Sequence, residues 1–126
     1  MNAVVVDASA IAAVLFDEPE AAPIRASVRG RLLAPGLIRY ELAGVCLAKI
    51  RRFPGRAAEI EARHALVDEL DLRLHDPQWS ELPRLAQRWT LSVYDAAYLQ
   101  LAMALGAPLV TLDARLARAC DAAMGG

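Results

Sequence analysis

The sequence predicts an α/β/α sandwich: a central, mostly parallel sheet of four strands, or five, flanked by helices, in a single domain spanning residues 1–126. Three observations lead there. The chain has 126 residues, the length of one domain that can bury a core without disulfides. Apolar residues make up 56% of it, much of that share alanine, which excludes a disordered chain and favours helices. Short apolar or alternating runs recur between longer helical stretches from end to end, the pattern of strands joined by crossover helices.

Taken in order, Ala3 to Val6 is a continuous run that reads as a buried strand of a parallel sheet. Ala8 to Phe16 reads as a helix, broken at Asp17-Glu18-Pro19, and Glu20 to Val28 as a second, with Gly30 as its stop. Arg31 to Ala34 is a short strand closed by Pro35-Gly36. Leu37 to Arg52 is a long helix, with Leu37, Ile38, Leu42, Val45 and Ile50 at helical spacing, ended by Phe53-Pro54-Gly55. Arg56 to Glu69 forms one further charged helix, and Asp71 to His75 alternates as a half-buried strand does. Pro77 opens a helix that runs to Trp89. Tyr94 to Leu105 is a helix stopped by Gly106 and Pro108, Leu109 to Leu112 a strand, and Ala114 to Ala123 the final helix.

Fourteen Lys and Arg against fifteen Asp and Glu give a net charge of -1, which argues against a general nucleic-acid coat protein. Thirteen of the fourteen are Arg. Genome composition explains that bias as well as phosphate binding does. Cys46 and Cys120 have no metal or redox spacing and read as free thiols of a reducing compartment. No basic region precedes the first strand as a signal peptide requires, and the stretch from Ala8 to Phe16 is about half the length of a membrane span. The expectation is a soluble cytoplasmic protein with no membrane partner.

Four acids stand out. Asp7 and Asp113 each end a strand and precede a helix, where ligands of parallel sheets collect and where an N-cap would also sit. Asp95 falls three residues after Ser92, the form of a capping box. Glu41 sits inside the long helix on its apolar stripe and needs a partner, either a cation or an Arg such as Arg39 or Arg52. If the strands ending in Asp7 and Asp113 are neighbours, all four converge. Four such carboxylates do not all stay ionised by themselves, and a hard divalent cation, Mg2+ or Mn2+, resolves the conflict.

With those positions in hand, the chain resembles the PIN-domain ribonucleases, and among them the VapC-type toxins of toxin–antitoxin pairs. The matching pieces are VVVDASA at 4–10, LIRYEL at 37–42, YDAAYLQLA at 94–102 and LVTLD at 109–113, in the family's order across nearly the whole chain. The resemblance implies a PIN-like fold, with Asp7, Glu41, Asp95 and Asp113 as metal ligands and catalytic residues. Ser9 and Thr111 would be supporting hydroxyls, with ordinary capping hydrogen bonds as the alternative. It implies cleavage of RNA dependent on one or two Mg2+ or Mn2+ ions, leaving a 5′-phosphate and a 3′-hydroxyl. It also implies a homodimer and a small antitoxin partner. The family commonly adds a fifth strand after the last helix, for which no apolar run remains here.

Arg115 and Arg118, following Asp113, are candidates for contact with RNA phosphate, and Arg51, Arg52 and Arg56 form the densest basic cluster. Trp79, Trp89, Tyr94 and Tyr98 read as core or dimer interface rather than base-stacking platforms. Leu15 and Phe16 read as core before antitoxin contacts. A two-histidine ribonuclease mechanism would need His64 and His75 to converge, which their elements do not favour. A phosphatase of the haloacid-dehalogenase type needs an acid where Ser9 stands, and a receiver domain needs a late Lys, whereas the one Lys is Lys49. The alternatives that survive are a housekeeping PIN nuclease without an antitoxin and an inactive PIN-like binding module.

Overall fold

The computed structural model describes residues 2–28 and 30–125. Among them are four strands, β1 (Ala3–Val6), β2 (Arg31–Ala34), β3 (Leu72–Leu74) and β4 (Leu109–Val110). Seven α-helices follow or separate them: α1 (Ala8–Leu15), α2 (Ala21–Ser27), α3 (Ile38–Arg52), α4 (Ala57–Ala65), α5 (Leu82–Trp89), α6 (Val93–Leu105) and α7 (Ala114–Ala123). The sheet runs β3-β2-β1-β4 and every pairing is parallel. Val4 pairs with Leu32 and Leu32 with Leu72 on one side of β1; Val6 pairs with Val110 on the other. The chain therefore builds outward from β1 in one direction, then crosses back to add β4 on the opposite side. That reversal makes the carboxyl ends of β1 and β4 the switch point of the sheet, where parallel α/β folds open a crevice.

Burial explains the pattern. Val5 and Val6 are wholly buried at the centre, as β-branched residues covered on both faces must be. Helices α1 to α4 pack among themselves, and α6 packs against β1, α5 and α7. The residues of α6 from Ala96 to Ala102 are buried in an unbroken run, so this helix is core on every face rather than on one stripe. Ile11, Ile38, Leu42, Tyr98, Leu99 and Leu116 are the large fully buried side chains that fill the space around it.

Three segments differ from the sequence reading. Pro77 does not open a helix. The amide of Gln78 donates to the buried Oε1 of Gln100 at 2.7 Å, which holds this stretch extended; a 3-10 turn follows at Trp79–Glu81, and Pro83 takes the first-turn position of α5. The charged helix read over 56–69 shortens to α4, with 3-10 turns at Pro54–Arg56 and Leu66–Glu69. The last strand ends at Val110, because Thr111 turns its hydroxyl toward β1.

Two glycines give a direct check of backbone demands. Gly30 has φ +96, and a Cβ there would stand 2.1 Å from the carbonyl oxygen of Asn2, which accepts from the Arg31 amide at 2.8 Å. Gly44 lies on the exposed side of α3 with nothing within 4 Å of a Cβ. Gly30→Ala is expected to destabilise by more than about 2 kcal/mol. Gly44→Ala is expected to stabilise by about 0.5–1 kcal/mol. Urea unfolding of the two variants beside the parent checks both signs.

Candidate active site

Among the described residues Asp7 is the buried acid, 5% exposed at the carboxyl end of β1. Its Oδ1 accepts from the Ser9 hydroxyl at 2.7 Å and from the Ala10 amide at 3.1 Å, so it caps α1. Its Oδ2 accepts from the Thr111 hydroxyl at 2.5 Å. Each hydroxyl, having given its proton to Asp7, accepts from a backbone amide: Ser9 Oγ from Leu112 at 2.9 Å, and Thr111 Oγ1 from Asp113 at 3.0 Å. With both protons committed, the 3.3 Å approach of Ser9 Oγ to Thr111 Oγ1 is contact between neighbours rather than a further hydrogen bond.

The other three acids enter from helix starts. Asp113 caps α7 through Oδ1, which accepts from the Arg115 and Leu116 amides at 2.9 and 3.2 Å. Asp95 lies in the first turn of α6, its amide donating to Ser92 Oγ at 3.0 Å, so the capping box read from sequence forms on its Ser92 side. Glu41 also lies in a first turn. The sequence reading put it inside its helix, but α3 starts at Ile38, with Leu37 as the cap. There the helix dipole favours its charge. Its partner is neither Arg39 nor Arg52. Arg39 Nε donates to the Gly36 carbonyl at 3.4 Å, and Arg52 lies 5.4 Å from the Phe53 ring centre. Instead the Tyr98 hydroxyl, 1% exposed, donates to Glu41 Oε1 at 2.6 Å.

The four carboxylates feel one another. Burial raises the Glu41 pKa most; the Tyr98 hydrogen bond lowers it, and the charges of Asp95 and Asp7 raise it again. Burial also leads in raising Asp95, followed by the charges of Asp113 and Asp7, with Ser92 and Arg115 pulling the other way. Burial first, then the bond and charge of Glu41, push the Tyr98 phenol far up, so it stays a donor at any pH of interest. No Lys or Arg among the described residues is ion-paired with any of the four; the salt bridges join Arg25 to Asp17, Lys49 to Glu18, Arg56 to Glu59 and Arg73 to Asp71. An all-oxygen donor set of mutually repelling acids fits a hard divalent cation in its chemistry. In side-chain placement the set is open: among the described residues no three His, Cys, Asp or Glu groups close around a single point.

The remaining candidates divide. Arg115 is exposed at the start of α7 within electrostatic reach of Asp95, and Arg118 is exposed further along the same helix. Arg52 and Arg56 flank the Phe53 ring at 5.4 and 5.9 Å, at the other end of α3 from Glu41. His64 on α4 and His75 after β3 do not meet any of the four acids in a hydrogen bond or ion pair. Leu15 is core, as read. Tyr98 is core too, but Tyr94 and Trp79 are not: they are 64% and 70% exposed, because the cap at Ser92 and the turn at Trp79–Glu81 lift them off the packed face. Sequence reading missed Tyr98 as the residue that positions Glu41. The signal available was its spacing, three residues after Asp95 and so on the same face of α6.

A parallel sheet with an acidic crevice at its switch point defines the class: an α/β protein whose site is carried by loops and helix starts at the carboxyl ends of its strands. A model of the PIN domain matches residues 4–122, and the chain belongs to that family. The fold is similar to the crystal structure of PAE2754 from Pyrobaculum aerophilum, with 25% identity and a TM-score of 0.76 over 98% of this chain and 95% of that one. It is also similar to VapC20 of Mycobacterium tuberculosis, a sarcin-ricin loop cleaving toxin, with 20% identity and a TM-score of 0.62 over 92% of this chain and 94% of that one. At that identity the second likeness concerns the fold. No curated protein matches the sequence. No helix among the described residues is long and apolar enough to cross a membrane.

Tyr98→Phe leaves the Glu41 carboxylate half-buried without its donor. The expected cost is about 1–3 kcal/mol at neutral pH, read by urea unfolding. The loss is expected to shrink as pH falls and Glu41 takes up a proton, which its raised pKa brings on earlier than for an ordinary glutamate.

Glu41 and Asp95 both lie above their ordinary values of 4.5 and 3.8. The folded, metal-free protein therefore binds more protons than the unfolded chain. This contribution is present below the unfolded values and is lost as pH rises through the folded ones. In EDTA, the melting temperature of the parent is expected to fall, as pH rises above the ordinary carboxylate values, relative to that of the Glu41→Gln/Asp95→Asn variant. Thermal unfolding across that pH range measures it.

Proposed function

We propose that this chain is a Mg2+- or Mn2+-dependent endoribonuclease that acts as the toxin of a toxin–antitoxin pair. The observation that supports this reading is that the charges of Asp7 and Asp95 reach Glu41 and those of Asp7 and Asp113 reach Asp95, with no Lys or Arg ion-paired to the four among the described residues. Those four residues would hold one or two ions. A bound divalent ion supplies positive charge for phosphate oxygens and lowers the pKa of water, the two needs of phosphodiester hydrolysis.

The chain's own residues do the rest. Ser9 and Thr111 fix both oxygens of Asp7, so its carboxylate plane is set before anything binds. Tyr98 does the same for Glu41 from a buried position. Asp113, held by the α7 amides, and Asp95, at the α6 start, are both partly exposed and would complete the set. Arg115, within electrostatic reach of Asp95, and Arg118, exposed further along α7, would offer positive charge to the RNA backbone. Cleavage in this class of site leaves a 5′-phosphate and a 3′-hydroxyl. The partners proposed are RNA, a small antitoxin that covers the crevice, and a second copy of the chain, in the cytoplasm.

The test is cleavage of labelled RNA with Mg2+ or Mn2+, with EDTA as the control. Asp7→Asn and Asp95→Asn are each expected to lower the rate by at least about a hundredfold, with folding confirmed by circular dichroism. They are also expected to relieve growth arrest on expression in cells. Undiminished cutting by either variant would remove these residues from the active site. Calorimetry with Mn2+ separates loss of the ion from loss of chemistry.

A further inference from the structure

The acids do not account for everything at this opening. Tyr40 and Tyr94, each the residue before a proposed ligand, are 76% and 64% exposed. With Leu37 and Glu41 they line a pocket of about 390 Å3. Leu37 and Tyr94 also line a second pocket of about 280 Å3, which continues past Val93 and Pro77 to Trp79, itself 70% exposed. Two pockets sharing two residues make one mainly apolar groove that starts at a site acid, has Asp76 in its wall and carries three exposed aromatic rings. Arg39 lies at its edge: its guanidinium bonds to the carbonyl of Gly36, a residue of the groove wall, and it forms no ion pair among the described residues.

We infer that Tyr40 and Tyr94 form a stacking platform for an unpaired base next to the scissile phosphate, and that the RNA strand continues along the groove to Trp79. This rests on the nuclease reading above. Aromatic faces accept any base, and an unpaired cation beside them suits the backbone that joins the bases. A stacked base leaves its phosphate free to face the acids. The groove thus selects single strands over duplex, whose bases are already stacked on one another.

The experiment measures binding of short fluorescein-labelled homopolymeric RNA, single-stranded and duplex, in EDTA, so that the readout does not depend on a metal. Cleavage with Mn2+ is measured separately. Tyr40→Leu/Tyr94→Leu, which keeps apolar area and removes the π faces, is expected to weaken single-strand binding about five- to 150-fold for each base that no longer stacks. Tyr40→Phe/Tyr94→Phe is expected to bind as the parent does, and the parent is expected to prefer single strands to duplex. Equal binding by the Leu and Phe variants overturns the platform while the parent's cleavage keeps the nuclease reading. Binding with the expected losses but no cleavage overturns the nuclease reading and keeps the platform. If the Leu variant instead turns a dimer into a monomer by light scattering and binds RNA unchanged, the groove is a self-association face and the inference fails.

Discussion

A buried carboxylate held by two hydroxyls and a backbone amide, with no Lys or Arg paired to it among the described residues, governs this molecule. Asp7 lies almost wholly inside the protein, where an unsatisfied charge would cost several kcal/mol. Three donors satisfy it: one hydroxyl from α1, one backbone amide of α1, and one hydroxyl from the end of β4. Because Ser9 and Thr111 give their protons to Asp7, their lone pairs face the amides of Leu112 and Asp113. Those bonds fix the backbone that turns β4 into α7, and with it the carboxylate of Asp113. The needs of one acid therefore place another, 106 positions later in the chain.

The same division shapes the charge distribution. The basic residues that form ion pairs, Arg25, Lys49, Arg56 and Arg73, all meet acids other than the four of the crevice. Repulsion inside the crevice is relieved by hydroxyls, helix-start amides, the Tyr98 phenol and, at Asp95, the charge of Arg115. A net charge of -1 thus conceals two regions: an acidic opening, and a remainder that is positive once the four crevice acids are set aside. An overall charge near zero argues against indiscriminate nucleic-acid coating, yet it is compatible with local engagement of a phosphate chain.

Most of the architecture was legible in the sequence, because its signals are local. The Val4-Val5-Val6 run, the strand-then-acid pattern at Asp7, the Asp113 cap, the Ser92 side of the Ser92–Asp95 box and the Gly106 stop each depend on neighbours a few residues away, and the structure keeps them, although β4 stops at Val110, short of Asp113. What stayed hidden depends on contacts far apart in the chain. The partner of Glu41 is 57 positions away, and a phenol looks like core until its hydroxyl is located. The stretch after β3 is kept out of a helix by Gln100, 22 positions from the amide it captures. Trp79 and Tyr94 have the composition of core and the exposure of surface, which only the turns before them decide.

Helical geometry explains why acids and exposed rings occur together here. Glu41 and Asp95 both sit in the first turn of a helix whose start faces the crevice. A residue one step earlier is turned about 100° around the helix axis. If the acid points into the opening, its predecessor must point to the rim, and that predecessor is a tyrosine in both cases. Acid and ring are thus fixed to each other by backbone alone, with no side-chain contact required. Changing Tyr40 or Tyr94 alters the rim without moving Glu41 or Asp95, whose positions are set by Tyr98 and by the Ser92 cap. The fold separates the groups available for chemistry from those available for recognition, by one residue at each of two helix starts.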